Sequence, residues 1–265
     1  MSRPHKFKLR IALAVLAAAS CSVASAVPQL VTVTVTNLAP ANSVSFAPLR
    51  LGFNAGIFDA FNIGQASGQP IISVAEGGSG VDWLPAFAAA EPNATLGSVG
   101  GLLLPGATLS ATFTVDPTVN RYFTFGAMVV PSNDLFIGND DPLEYRIFNP
   151  AGNLLIPSII VKANEIWDGG SEVFDPAAAA FVGNNDLRTP QNSVVAFNFA
   201  ETYGFNGLTT GAGYVFNSQL TANSSVYRID FTTAPVPEPG TYALMSAGLF
   251  SVMWLARRRR NDAAL

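Results

Sequence analysis

Histidine and cysteine are almost missing from this chain of 265 residues: the single histidine is His5 and the single cysteine is Cys21. A folded body that begins after them has neither an imidazole nor a thiol. Ser-His-Asp and Cys-His catalysis, Cys/His zinc sites and disulfides within the chain are therefore excluded from it. Basic residues are scarce as well. Of 14 lysines and arginines, four are Arg3, Lys6, Lys8 and Arg10, and four are Arg257, Arg258, Arg259 and Arg260. Six remain in the body against 16 of the 18 acidic residues, a net charge of −10. Such a surface repels phosphate backbones and anionic lipid heads, which argues against nucleic-acid binding, and it tolerates divalent cations and basic or neutral partners.

Long apolar runs occur only near the ends, at about 11–26 and 242–256, each flanked by basic residues. Residues 1–26 have the layout of a signal peptide: a basic segment from Arg3 to Arg10, an apolar stretch from Ile11 to Ala19, and Ala24-Ser25-Ala26, whose small residues suit a signal-peptidase cleft before Val27. A lipoprotein signal acylated at Cys21 is the competing reading, but Ala18-Ala19-Ser20 lacks the usual leucine-like residue. At the other end, Val236-Pro237-Glu238-Pro239-Gly240 precedes the apolar stretch 242–256 and the four arginines of 257–260. Fifteen residues make a helix of roughly 22 Å, short for a bilayer core of about 30 Å unless the flanks snorkel. The arginines should stay cytoplasmic, which puts the body outside.

This order of elements resembles the PEP-CTERM sorting signal of Gram-negative bacteria that make extracellular polysaccharide. The resemblance implies an exported protein, held briefly in the inner membrane by residues 242–256, then processed near Val236, Pro237, Glu238 and Pro239 by an exosortase-type membrane protease. It implies a final place at the outer surface or in the extracellular matrix. A permanent single-span tail anchor is the alternative.

Between the ends the pattern is that of strands and turns. Leu30 to Thr36 alternates strictly, with β-branched residues throughout, as a half-buried strand requires. Similar runs recur at Thr108 to Val115, Tyr122 to Val130, Tyr145 to Phe148, Leu154 to Val161, Ser193 to Phe199 and Ser225 to Thr232, separated by Gly, Pro, Asn and Asp turns. Seven or eight short strands at this spacing predict an all-β fold, an antiparallel β-sandwich with minor helices at Ile57 to Ile63, Val81 to Ala90 and Pro176 to Phe181. The expected organisation is a signal peptide over 1–26, a sandwich over 27–233 and a sorting signal over 234–265.

The middle of the chain carries a second resemblance. Met128-Val129-Val130-Pro131-Ser132-Asn133-Asp134-Leu135-Phe136-Ile137-Gly138, followed by Trp167-Asp168-Gly169-Gly170-Ser171-Glu172, looks like the spondin N-terminal domain. Ala66-Ser67, Val74-Ala75-Glu76-Gly77-Gly78 and Leu104-Pro105-Gly106 match further segments of that family. The resemblance implies a sandwich related to calcium- and lipid-binding domains, a Ca²⁺ ion at one end and a role in extracellular adhesion. It places ligands at Asp134 and Asp168, with Asp116, Asp140 or Glu172 as the third side chain. Two departures stand out: Ser171-Glu172 replaces the family's Thr-Asp, and an expected acid falls near Thr114, with Asp116 the nearest carboxylate.

The residues themselves support a hard cation on separate grounds. Ca²⁺ takes six to eight oxygen ligands, and loops at one end of a sandwich can bring carboxylates and carbonyls together. Asp134 follows a strand, Asp140 and Asp141 lie just beyond it, and Asp168 precedes two glycines that permit close backbone approach. The competing reading makes these acids solvated turn residues. Gly77-Gly78-Ser79-Gly80 lacks the Lys-Ser/Thr pair of a phosphate loop. Trp83, Trp167 and the 19 phenylalanines read first as core and second as a sugar platform. The function expected is a non-enzymatic, exported, calcium-binding protein of adhesion, matrix or biofilm contact, with an extracellular polysaccharide or surface molecule as partner. The alternative is a carboxylate- or metal-dependent hydrolase acting on extracellular polysaccharide, which needs two acids about 5–9.5 Å apart in a cleft.

Overall fold

The computed structural model describes residues 28–236 together with Ser246, Gly248 and Leu249, which are helical. The expected signal peptide with Ala24 and Ala26, the Pro237-Glu238-Pro239 core of the sorting motif and most of the apolar stretch after it lie outside the described residues. Among the described residues no helix is long and apolar enough to cross a membrane.

The body is mostly β, as its alternation predicts, and is built from two antiparallel sheets. The first sheet has the order β5-β1-β11-β8, with β1 Gln29–Asn37, β5 Thr108–Val115, β8 Ser158–Lys162 and β11 Ser225–Pro235. β1 pairs regularly with both neighbours, Gln29 standing opposite Pro235 on one side and Val115 on the other, while β11 and β8 shift register between Ser225 and Tyr227. The outer face of β1 carries Thr32 and Thr36, whose hydroxyls meet those of Thr112 and Thr108 at 2.8 and 3.1 Å. The inner face carries Val31, Val33 and Val35, all buried. Strict alternation is what one wet face and one dry face require.

The second sheet runs β10-β9-β7-β6-β3-β4, with β3 Leu49–Asn54, β4 Thr95–Val99, β6 Tyr122–Val130, β7 Leu135–Gly138, β9 Trp167–Asp168 and β10 Ala196–Phe197; the short β2 Ser45–Phe46 also pairs with β6. β6 is buried on both faces, which explains its near-continuous apolar run. Phe123, Phe125, Ala127 and Val129 point into the sandwich core. The opposite face of this sheet lies under two helices, α1 Gln69–Ala75 and α2 Trp83–Ala90. There Phe58, Ile71, Val74, Trp83, Phe87, Phe136 and Trp167 form a second apolar cluster. Trp83 and most of the phenylalanines are therefore core.

Several sequence expectations are corrected. Ile57 to Ile63 is not a helix, because the N–H groups of Ala55, Ile57 and Phe58 donate to the Glu91 carboxylate at 2.6–2.8 Å instead of to a helical turn. Pro176 to Phe181 forms turns. Tyr145 to Phe148 contributes only isolated bridges to Tyr122 and Leu154. Leu154 to Val161 is strand only from Ser158, and Ser193 to Phe199 only at Ala196–Phe197. Conversely, β3, β4 and α1 form although their sequences carry no clear period. The expected helix at Val81 to Ala90 is present as α2.

Topology also sets the direction of the molecule. β1 begins and β11 ends at one end of the sandwich, where β5 ends and β6 starts. β6 then runs nine residues, about 30 Å at ~3.3 Å per residue, to the opposite end, where Asp134 lies.

Candidate functional site

Asp134 sits in the tight turn between β6 and β7. The turn is closed by Ser132, whose hydroxyl accepts the Leu135 N–H at 3.1 Å, and by Asn133, which exchanges hydrogen bonds with the backbone of Asp175 at 3.1 and 3.2 Å. These contacts leave the Asp134 side chain fixed and buried. Its Oδ2 accepts three bonds, from Ser171 N–H at 2.7 Å, Ser171 Oγ at 3.1 Å and Glu172 N–H at 3.1 Å. Among the described residues nothing donates to its Oδ1.

β9 brings Asp168 alongside, pairing it with Leu135. Its Oδ1 accepts the Gly170 N–H at 2.8 Å and its Oδ2 accepts Asn198 Nδ2 at 2.9 Å. The two glycines that follow leave little room for a side chain, Gly170 least of all. A Cβ on Gly169 would stand 3.1 Å from Asp134 Oδ2, and Gly170 has φ +63 with Ser193 and Val194 backbone atoms within 2.9 Å of any Cβ. The sequence pattern Asp-Gly-Gly therefore serves the convergence of these two acids.

The third acid is Glu201, which no expectation included. It lies on the 3-10 helix Phe199–Phe205, and the same Asn198 Nδ2 reaches its Oε2 at 3.3 Å. Its Oε1 is buried without a hydrogen-bond partner. Burial, then the negative charges of Asp168 and Asp134, push the Glu201 carboxyl up to about 8. Asp134 is pushed up to about 6 by burial and by Asp168, against the opposing pull of its three donors. Glu201 did carry one signal in the sequence: it is the only acidic residue between Asp186 and Asp230.

The other expected ligands stand elsewhere. Glu172 gives Asp134 its backbone N–H, while its carboxyl turns toward α1 and lies 2.9 Å from Arg188 Nε. Arg188 Nη1 also meets Glu76 at 2.9 Å. One guanidinium thus serves two acids; burial and the neighbouring Glu76 raise Glu172 to about 7, although Arg188 opposes the rise. Asp116 is at the opposite end of the sandwich, where its Oδ1 accepts the N–H and hydroxyl of Thr118 at 2.9 and 2.6 Å, an ordinary turn. Asp140 lies past the far end of β7, accepts the Ile63 N–H at 3.3 Å, and is raised by burial and by Asp59 and Asp141. Neither joins Asp134 and Asp168.

Chain topology accounts for this set, because the third acid arrives from a segment about thirty residues beyond β9. Among the described residues no group of three carboxylate, histidine or cysteine side chains is arranged to hold a metal ion as it stands. All three groups are carboxyls, Glu201 Oε1 lacks a donor, and Arg188 is engaged with Glu172 and Glu76.

Comparison with known proteins bears on the C-terminus. The family model described as the PEP-CTERM protein-sorting motif matches residues 235–260. The chain carries a PEP-CTERM sorting motif. Such a motif marks an exported protein that is processed by an exosortase, a membrane protease, and becomes associated with the surface of a Gram-negative bacterium. No curated protein matches the chain. The PEP-CTERM match covers the sorting segment only and leaves the sandwich without a family assignment.

Proposed function

We propose that this PEP-CTERM protein is an exported, non-enzymatic binding protein whose spondin-like sandwich holds Ca²⁺ at the Asp134 end and acts in adhesion or matrix contact. The observation that carries the reading is the meeting of Asp134, Asp168 and Glu201 from three separate segments, with a buried Glu201 oxygen left without a donor. Like charges brought together out of water are unfavourable unless a proton or a cation intervenes. The bound ion would be a fixed double charge that ties β7, β9 and the 199–205 helix together, stiffening the loops for an exopolysaccharide or surface partner.

The test is a Ca²⁺ titration, with Mg²⁺ as control, of the metal-stripped protein followed by melting temperature. A calcium-selective rise that is lost in Asp134→Asn, Asp168→Asn and Glu201→Gln is the expected result. No shift at millimolar calcium would overturn the cation site.

One observation favours a second reading. A carboxyl held near pKa 8 beside two further acids is the arrangement from which a general acid paired with a base can be built, as in a polysaccharide hydrolase. Release of reducing ends from the host's exopolysaccharide, abolished in Glu201→Gln without added metal dependence, would select it.

A further inference from the structure

The end of the sandwich opposite the three acids holds a cavity of about 380 Å³, lined among others by Pro28, Gln29, Gly152, Asn153, Thr233 and Pro235. No charged side chain lines it, although the body as a whole carries a net charge of −10. The Gln29 side chain donates to the Gly152 carbonyl at 2.9 Å and so pins the 149–153 turn against β1 as one wall. The other wall is the last part of β11. Phe231 N–H donates to Pro157 O on the β8 side, and two residues later Thr233 turns its backbone to that side again. The pairing of β11 with β8 has ended by then, at Asp230. Among the described residues no strand pairs with Thr233 there.

The sorting motif begins at this same point. The match to the PEP-CTERM model starts at residue 235, and Pro235 is still paired with Gln29 in the sheet. The folded body and its sorting signal therefore have no linker between them. Four fully extended residues span at most about 14 Å, so Pro239 stays within that distance of Pro235. A membrane enzyme acting near Pro237 to Pro239 must lie against the β1/β11 end while it works.

We propose that this neutral cavity is the docking surface for the exosortase that processes the sorting signal. The occupant is set by where the chain leaves the sheet: any enzyme that takes the motif as substrate meets these walls first. The absence of charge suits a partner at the membrane face, where the acidic remainder of the body is repelled from anionic lipid heads. The unpaired edge at Thr233 offers backbone groups to an extended segment of that enzyme. The proposal rests on the sorting reading of residues 235–260.

The experiment uses the full chain expressed with its processing enzyme, and reads by mass spectrometry the fraction of molecules that have lost the tail at a fixed time. Asn153→Trp and Thr233→Glu, both at exposed positions, should reduce that fraction at least five-fold with the melting temperature unchanged. Inserting ten Gly/Ser residues between Val236 and Pro237 should also reduce it, because the motif is moved off the surface. Wild-type processing of the cavity variants, or faster processing of the insertion, would overturn the proposal and make the wall an obstruction. Replacing Pro237, Glu238 and Pro239 with alanine is the separate control. If that variant is still processed, the sorting reading fails, whereas a block there with normal processing of the cavity variants removes only the docking surface.

Discussion

Glu91 and Glu201 are both removed from solvent in large part, and the sandwich treats them in opposite ways. Glu91 follows α2, and its carboxylate accepts three backbone N–H groups, from Ala55, Ile57 and Phe58. It acts as a peg that shapes the 55–58 loop. Glu201 receives one long bond from Asn198, leaves Oε1 without a donor and faces two further acids. A carboxylate with its donors supplied is structural; one deprived of them is held ready for a proton or a cation.

Removing the peg should have the largest effect. Glu91→Ala strands three N–H groups and is expected to cost about 3–5 kcal/mol, with a melting temperature lower by ten degrees or more. Urea unfolding measures it, and a loss below about 1 kcal/mol would remove the contrast with Glu201.

The opposite sign is expected at Glu201. Its folded-state pKa of about 8 exceeds the ordinary 4.5, so the metal-free folded state binds the extra proton between those values. The stability this contributes is fully present below about pH 4.5 and disappears as pH rises through about 8. Metal-free protein should lose about 2 kcal/mol between pH 6 and pH 8, Asp134 and Glu172 adding to the same slope. Glu201→Gln should flatten that dependence and raise stability at pH 8. With Ca²⁺ present the trend should weaken, since the cation displaces the proton and binds more tightly at higher pH. A melting series at pH 6, 7 and 8 with and without calcium reads all of this, and equal slopes in wild type and variant would break the comparison.

A smaller effect is expected at Arg188, which is half-exposed and shared by Glu76 and Glu172. Arg188→Met should cost about 1 kcal/mol above pH 7, where Glu172 is ionised, and little at pH 5. Calcium affinity should fall only slightly, because Glu172 reaches Asp134 through its backbone. The smallest effect belongs to Asp116→Asn: within about 0.5 kcal/mol and without change in calcium response, as befits a turn at the other end of the molecule.

The site was partly legible. Asp134 and Asp168 stand together as expected, and the Gly169-Gly170 pair has the close-approach role read from it. Asp140 is read from nearness in sequence, Asp116 and Glu172 from the spondin resemblance, but a strand about 30 Å long separates Asp116 from the pair, β7 separates Asp140, and Glu172 points its side chain away. Glu201 had no neighbouring motif to mark it. In the fold, β1, β5 and much of β11 follow their alternation closely, and β6 follows its continuous apolar run. β3, buried on both faces from Leu51 to Asn54 and carrying the non-hydrophobic Gly52 and Asn54 there, shows no period at all.

The sorting signal is a short local pattern, a Val-Pro-Glu-Pro-Gly stem before an apolar run and four arginines, which the PEP-CTERM model matches over residues 235–260. The all-β class is likewise local, because alternation reports one wet and one dry face for each strand. Which acids meet, which one goes without donors, and which end of the body lies beside the sorting motif depend on strand pairing between residues as far apart in sequence as Gln29 and Pro235. Those contacts exist only once both sheets have closed over the core, and the tertiary structure alone decides them.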